Sequence, residues 1–96
     1  MYKLSNRAAK DFEKIFEYTL LNFGVEQADD YTNALHQTLL TIADQPLMGH
    51  ECLKIAYGLR CHDHAKHAIY YRPQSDGIYI IRILHHQMDP LLHFSR

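Results

Sequence analysis

Apolar residues in the first half of the chain recur at steps of three and four. Ala8, Phe12, Ile15, Phe16, Thr19, Leu20 and Phe23 share one side of a period of about 3.6, with Lys10, Asp11, Glu13, Lys14, Glu17 and Asn22 between them. This spacing predicts an amphipathic helix. A short strand, Tyr2 to Leu4, precedes it, and Ser5 or Asn6 supplies the side chain that caps its free amides. Gly24 ends it by taking a backbone conformation that residues with a Cβ avoid. A second periodic segment follows at once, with Ala28, Tyr31, Ala34, Leu35, Thr38, Leu39 and Ile42 on one face. So short a connection folds the two helices back as an antiparallel hairpin. Pro46 and Gly49 close this helical half.

Beyond Gly49 the period falls to about 2, and β-branched and aromatic residues replace helix formers. Three strands are predicted, centred on Gly58 to His62, on His67 to Arg72, and on Ile78 to His85, with Leu53 to Ala56 as the approach to the first. Pro73 stops the middle strand, and Asp76-Gly77 turns the chain into the last, so these two form a hairpin. The last strand is apolar on both faces: Tyr79, Ile81 and Ile83 point one way, Ile78, Ile80 and Leu84 the other, with Arg82 sharing the second set's parity. It is predicted to be central, with Tyr79 inside. Two helices cover one face of a small sheet, so the C-terminal tail or a second protein covers the other. The fold class is α+β: a short N-terminal strand and an antiparallel helical hairpin packed on a small antiparallel β-sheet. Residues 1–96 are predicted to form a single domain.

Composition narrows the function. With 10 Lys and Arg against 11 Asp and Glu, the chain lacks the global attraction to a polyanion that direct nucleic-acid binding draws on. Eight histidines qualify this, because His62, His64, His67, His85 and His86 gain positive charge in acid. No apolar run approaches the roughly 18 to 20 residues of a membrane span, and Met1 to Ser5 begins no signal-peptide core, so a cytoplasmic protein with no membrane partner is expected. In that reducing compartment Cys52 and Cys61 are expected as free thiols.

Further marks run the length of the chain: Tyr2-Lys3-Leu4-Ser5, Ala8, Asp11-Phe12, Ile15 and Tyr18; Phe23-Gly24, Gln27-Ala28 and Tyr31; Ala43, Pro46 and Gly49; Gly58-Leu59-Arg60, His67 and Tyr71-Arg72. They close on Ile80-Ile81-Arg82-Ile83-Leu84-His85 and Met88-Asp89. In order and spacing the chain resembles the ParE branch of the RelE/ParE toxin superfamily. The resemblance implies the same helical hairpin on a sheet that the short N-terminal strand joins. It also implies the toxin component of a type II toxin–antitoxin system, one that inhibits DNA gyrase by binding, is not itself an enzyme, needs no cofactor, and is neutralised by a cognate antitoxin in a hetero-oligomer. Arg60, Arg82, His85, Met88 and Asp89 are the residues expected to contact the target.

The superfamily's other branch supplies the alternative, a RelE-like ribosome-dependent endoribonuclease acting on messenger RNA. Cutting RNA through its 2′-hydroxyl needs a base, an acid and cations around a crowded phosphorane. Arg60, Lys66, Arg72, Arg82 and His85 are the groups to fill those roles. Against it stand the near-neutral charge, the sparse cations between Glu51 and Arg60, and the apolar tail Leu91 to Phe94. The plainer reading gives Arg82 a carboxylate such as Asp89 and makes His85 a hydrogen-bonded strand end. Metal is not expected, since His62-Asp63-His64, His67 and His85-His86 lack a spacing that fixes a coordination set. Tyr70 and Tyr71 are divided between core and interface, and Glu26, Asp29 and Asp30 offset a positive helix end.

Overall fold

The computed structural model describes residues 1–94. The elements, in chain order, are β1 (Tyr2–Leu4), α1 (Asn6–Phe23), α2 (Val25–Asp44), β2 (His50–Glu51), β3 (Arg60–His64), β4 (His67–Gln74), β5 (Gly77–His85) and α3 (Pro90–Phe94). Ser5 joins the first two layers. Its Oγ accepts from the Ala8 amide at 3.0 Å, which caps α1, and donates to the Ile81 carbonyl at 2.7 Å, which ties the cap to β5. Gly24, at φ 96, ends α1 and starts α2 within a single residue, as the glycine signal requires.

The sheet order is β1-β5-β4-β3-β2. β5 is central at this end, hydrogen-bonded to β1 on one side and β4 on the other, in agreement with its two apolar faces. β1 runs parallel to β5, pairing Tyr2 with Ile78 and Leu4 with Ile80, so the sheet is mixed where an antiparallel one was expected. The parallel pairing is possible because the whole helical hairpin and three strands lie between the two in sequence. β4 continues through Pro73 to Gln74 instead of stopping there. The β3 ladder reaches only to Tyr71, so Pro73 lies where β4 is an edge on that side and its missing N–H costs no ladder bond. β3 begins at Arg60, two residues later than the segment centred on Gly58 to His62; Leu53 to Ala56 lies on the approach to it, and a further short edge strand, His50–Glu51, precedes that approach.

A β-bulge reverses the predicted facing of β5 beyond Ile81. Tyr70 pairs with Arg82 and Tyr71 with Ile80, leaving Ile81 over. Ile78 and Ile80 face the helices before the bulge and Ile83 after it, while Ile81 and Leu84 join the opposite face. Tyr79 lies before the bulge and loses only its parity with Ile83; it lines the rim groove with Ile81, half-buried and outside both clusters.

Two apolar clusters result, one on each face. The helices cover Ile69, Tyr71, Ile78, Ile80 and Ile83 with Ala8, Ile15, Leu35, Leu39 and Ile42. On the other face Leu59, Cys61, Ala68, Tyr70 and Leu84 lie under Cys52, Ile55, Ala56 and Phe94, so the chain's own loop and tail provide the expected cover. Adjacent Tyr70 and Tyr71 are both core because they point into different clusters. In the helices, Phe23 and Ala34 are exposed and Thr19 and Thr32 are buried, against the drawn periodicity of Phe23 and Ala34. The buried hydroxyls of Thr19 and Thr32 donate to the Ile15 and Ala28 carbonyls one turn back, which satisfies them inside.

Candidate functional site

The predicted contact residues fall into two places. Arg82, His85, Met88 and Asp89 follow one another along the end of β5 and the turn beyond it. Arg60 does not join them: it pairs across to Tyr71 and Ile80, whereas the row containing His85 is His64, His67 and His85, two strands across and several residues along.

Arg82 is held by Asp11 of α1. Nε lies 2.8 Å from Oδ2 and a terminal nitrogen 2.9 Å from Oδ1, a two-pronged pair whose side chains are only 13% and 11% exposed. Asp11 Oδ2 also accepts the Ile83 amide at 3.0 Å, beside the bulge. The Asp11 hydrogen bonds hold the Arg82 pKa above the ordinary arginine value. Asp89, the carboxylate considered for Arg82 from sequence, instead accepts the Leu91 amide at 3.0 Å where α3 begins. By helical periodicity alone Asp11 falls on the solvated side of α1.

His85 accepts the Gln87 amide at Nδ1, 3.1 Å away, and its ring lies edge-on to His67 at 5.4 Å. His67 also meets Tyr31 of α2, whose hydroxyl is 2.7 Å from Nδ1, and Tyr31 packs against His64 as well. His64 Nδ1 is 2.9 Å from the Thr38 hydroxyl. Burial, reinforced by His85, His86 and His64, pushes His67 down to about 4, and burial also lowers His64. These two therefore resist the charging in acid expected of the whole group. Met88 and Asp89 are exposed. Arg82 also borders a shallow groove of about 440 Å³ between the start of α1, Tyr79 and Ile81 of β5, and His93 and Phe94 of α3.

Arg60 braces the loop before β2. Its guanidinium donates to the Gly49 carbonyl at 2.7 and 3.0 Å and to the Leu47 carbonyl at 3.1 Å. Arg72 donates to the Tyr57 carbonyl. All three arginines named for phosphate chemistry thus spend donors on this chain, and Lys66 is exposed in the β3–β4 turn.

A wider groove, about 770 Å³, opens along the helical hairpin beside Leu4, Phe12, Phe16, Leu20, Asn33 and His36. Near the hairpin tip Tyr18, Leu21, Phe23 and Val25 are exposed. For a metal, the described residues gather one set, His50, Cys52 and Cys61; the histidines of β3 to β5 form no such set among them.

A family profile described as the ParE toxin of the type II toxin-antitoxin system, parDE, matches residues 2–90. The chain belongs to the ParE toxin family. Toxin ParE1 of Caulobacter vibrioides is 37% identical over 94 residues, covering 98% of this chain and 97% of the relative. Toxin ParE1 of Mycobacterium tuberculosis is 34% identical over 89 residues, covering 92% and 91%. A chain from a solved chromosomal ParDE TA system of P. aeruginosa superposes with a TM-score of 0.73 at 19% identity, over 88% of this chain and 92% of that one. That likeness concerns the fold, and it agrees with the helical hairpin on a sheet that the ParE resemblance implied. Among the described residues of this ParE-family chain, no helix is long and apolar enough to cross a membrane.

Proposed function

We propose that this ParE-family toxin inhibits DNA gyrase by binding it, without breaking bonds itself, and that a cognate antitoxin holds it inactive. The observation that carries the reading is the family match across residues 2–90, with curated toxins aligning over more than nine-tenths of both chains. The disposition of the cations supports a binding mechanism. Stabilising a phosphorane needs donors aimed at an empty site, whereas Arg82 is committed to Asp11, Arg60 to the Gly49 and Leu47 carbonyls, and Arg72 to Tyr57.

In this reading the turn from His85 to Asp89 contacts the target. Met88 offers an exposed apolar side chain there, and the Arg82–Asp11 pair fixes the strand end from which the turn projects. Arg60 contributes at a distance, by bracing its loop. The antitoxin lays an amphipathic helix in the groove beside Phe12, Phe16 and Leu20, half-buried apolar side chains that none of the described residues covers fully. Titrating purified gyrase with the chain, then adding antitoxin, tests both parts. A saturable complex that the antitoxin dissolves is expected; no complex with gyrase would overturn the target assignment.

A further inference from the structure

We propose that His50, Cys52 and Cys61 form a zinc-binding site that clips the edge of the sheet. The register itself assembles the donors. His50 and Cys52 are two residues apart along an extended edge segment and so share a face, and His50 lies directly opposite Cys61 on β3. The Cys52 amide donates to the Leu59 carbonyl at 2.9 Å, which holds the segment against the start of β3 beyond the last ladder pair. The imidazole nitrogen and two sulfurs consequently lie within 4.8 Å of one another.

The scaffold under this set is rigid. Tyr71 reaches the loop from below, its hydroxyl accepting the Gly49 amide at 3.0 Å and donating to the Pro46 carbonyl at 2.7 Å. A Cβ at Gly49 would stand 2.6 Å from that hydroxyl and 2.7 Å from the Cys61 carbonyl, so only glycine lets the loop approach this closely. Arg60 clamps the same loop from the other side through the Gly49 carbonyl. His50 is thereby delivered beside Cys61 by backbone bonds that need no metal. Its own side chain is exposed, giving an ion a way in, while Cys61 is buried and Cys52 half-buried.

Two sulfurs and an imidazole suit a borderline d¹⁰ ion, and hard cations such as magnesium or calcium prefer oxygen. Tetrahedral coordination sets donor atoms about 3.5 to 4 Å apart, within reach of small rotamer changes from the present separation. Binding is the exchange of two thiol protons for the ion: two Cys–SH groups and Zn²⁺ give a neutral dithiolate complex and two protons, with no change of oxidation state. Three protein donors leave the fourth position to water or to a donor from a partner. The histidine row contrasts with this arrangement, because among the described residues the ring nitrogens of His64, His67 and His85 form no such close-set group of donors.

The full chain, purified with its thiols reduced by a non-coordinating phosphine, would be titrated with Co²⁺ and then Zn²⁺. One equivalent of cobalt should produce the intense visible bands of a tetrahedral site and ultraviolet thiolate-to-cobalt charge transfer, both removed by one equivalent of zinc. His50→Ala, at an exposed position, should weaken binding at least tenfold with an unchanged circular dichroism spectrum. Cys52→Ser and Cys61→Ser should each reduce or remove the charge transfer. The proposal is overturned if the reduced wild-type chain gives no charge transfer, if the bands survive both serine substitutions, or if only the weak octahedral spectrum of surface histidines appears.

Discussion

Asp11 and Arg82, one on the first helix and the other on the central strand, form a two-pronged ion pair sheltered from water and extended by the Ile83 amide. Taking one partner away leaves the other charged, poorly solvated and without its bonds. Asp11→Asn is expected to lower the unfolding free energy by about 3 kcal/mol. A matched apolar pair, Asp11→Leu with Arg82→Met, should recover a large part of that loss, since neither charge then needs solvating. Urea unfolding of the single and double variants measures both. Additive losses in the double variant would mean the two side chains act independently.

The Tyr71 hydroxyl is buried and bonded to both Gly49 and Pro46. Tyr71→Phe strands these backbone groups and should cost about 1 to 3 kcal/mol. Gly49→Ala should cost more, because its new methyl carbon meets the Cys61 backbone carbonyl as well as the tyrosine. Thermal melting of the two variants orders the effects. An unchanged midpoint in Gly49→Ala would contradict the close packing of this loop.

Acid stability follows from His67. Its folded pKa is about 4, below the ordinary 6.5, so between these values the unfolded chain binds a proton that the folded chain refuses. Stability contributed by this residue is therefore level above about pH 6.5, falls as pH drops toward 4, and levels again below. The slope is at most about 1.4 kcal/mol per pH unit. His64, lowered by burial too, adds in the same direction. Replacing His67 with Asn should flatten the difference in stability between neutral and mildly acidic urea titrations; an undiminished slope would place its origin elsewhere.

The groove along the helical hairpin gives a prediction for the antitoxin. Phe16 is half-buried at its wall, and Phe16→Glu puts a charge where an apolar helix face is expected to dock. Antitoxin affinity should fall at least tenfold by calorimetry, with the far-ultraviolet circular dichroism of the free chain unchanged. Unaltered affinity would move the antitoxin to another face.

Most of the architecture was legible in the sequence because its signals are local. Ser5 and Gly24 mark the ends of α1 by cap chemistry, and the two-sided apolarity of Ile78 to Leu84 marks β5 as central. The bulge at Ile81 was not legible, since one extra residue reverses the facing of everything after it without requiring a special residue type. Tyr79, before the bulge, shares no face with Ile83 for that reason, so the parity that suggested a core position for it does not hold. Asp11 read as a solvated charge because helical periodicity sees neighbours along the helix, and its partner is 71 residues away. His50 and Cys52 acquire a common partner in Cys61 only through the register of a two-residue edge strand, too short to leave a periodic signature.

The most direct measurement adds the purified chain to a DNA gyrase supercoiling and cleavage assay, with ribosome-associated messenger RNA cleavage run in parallel. The account predicts lost supercoiling and gyrase-dependent DNA breaks, relieved by antitoxin, while the RNA stays intact. Cut RNA with unaffected gyrase would contradict it and make His85 and Lys66, beside the committed arginines, the residues to test for catalysis.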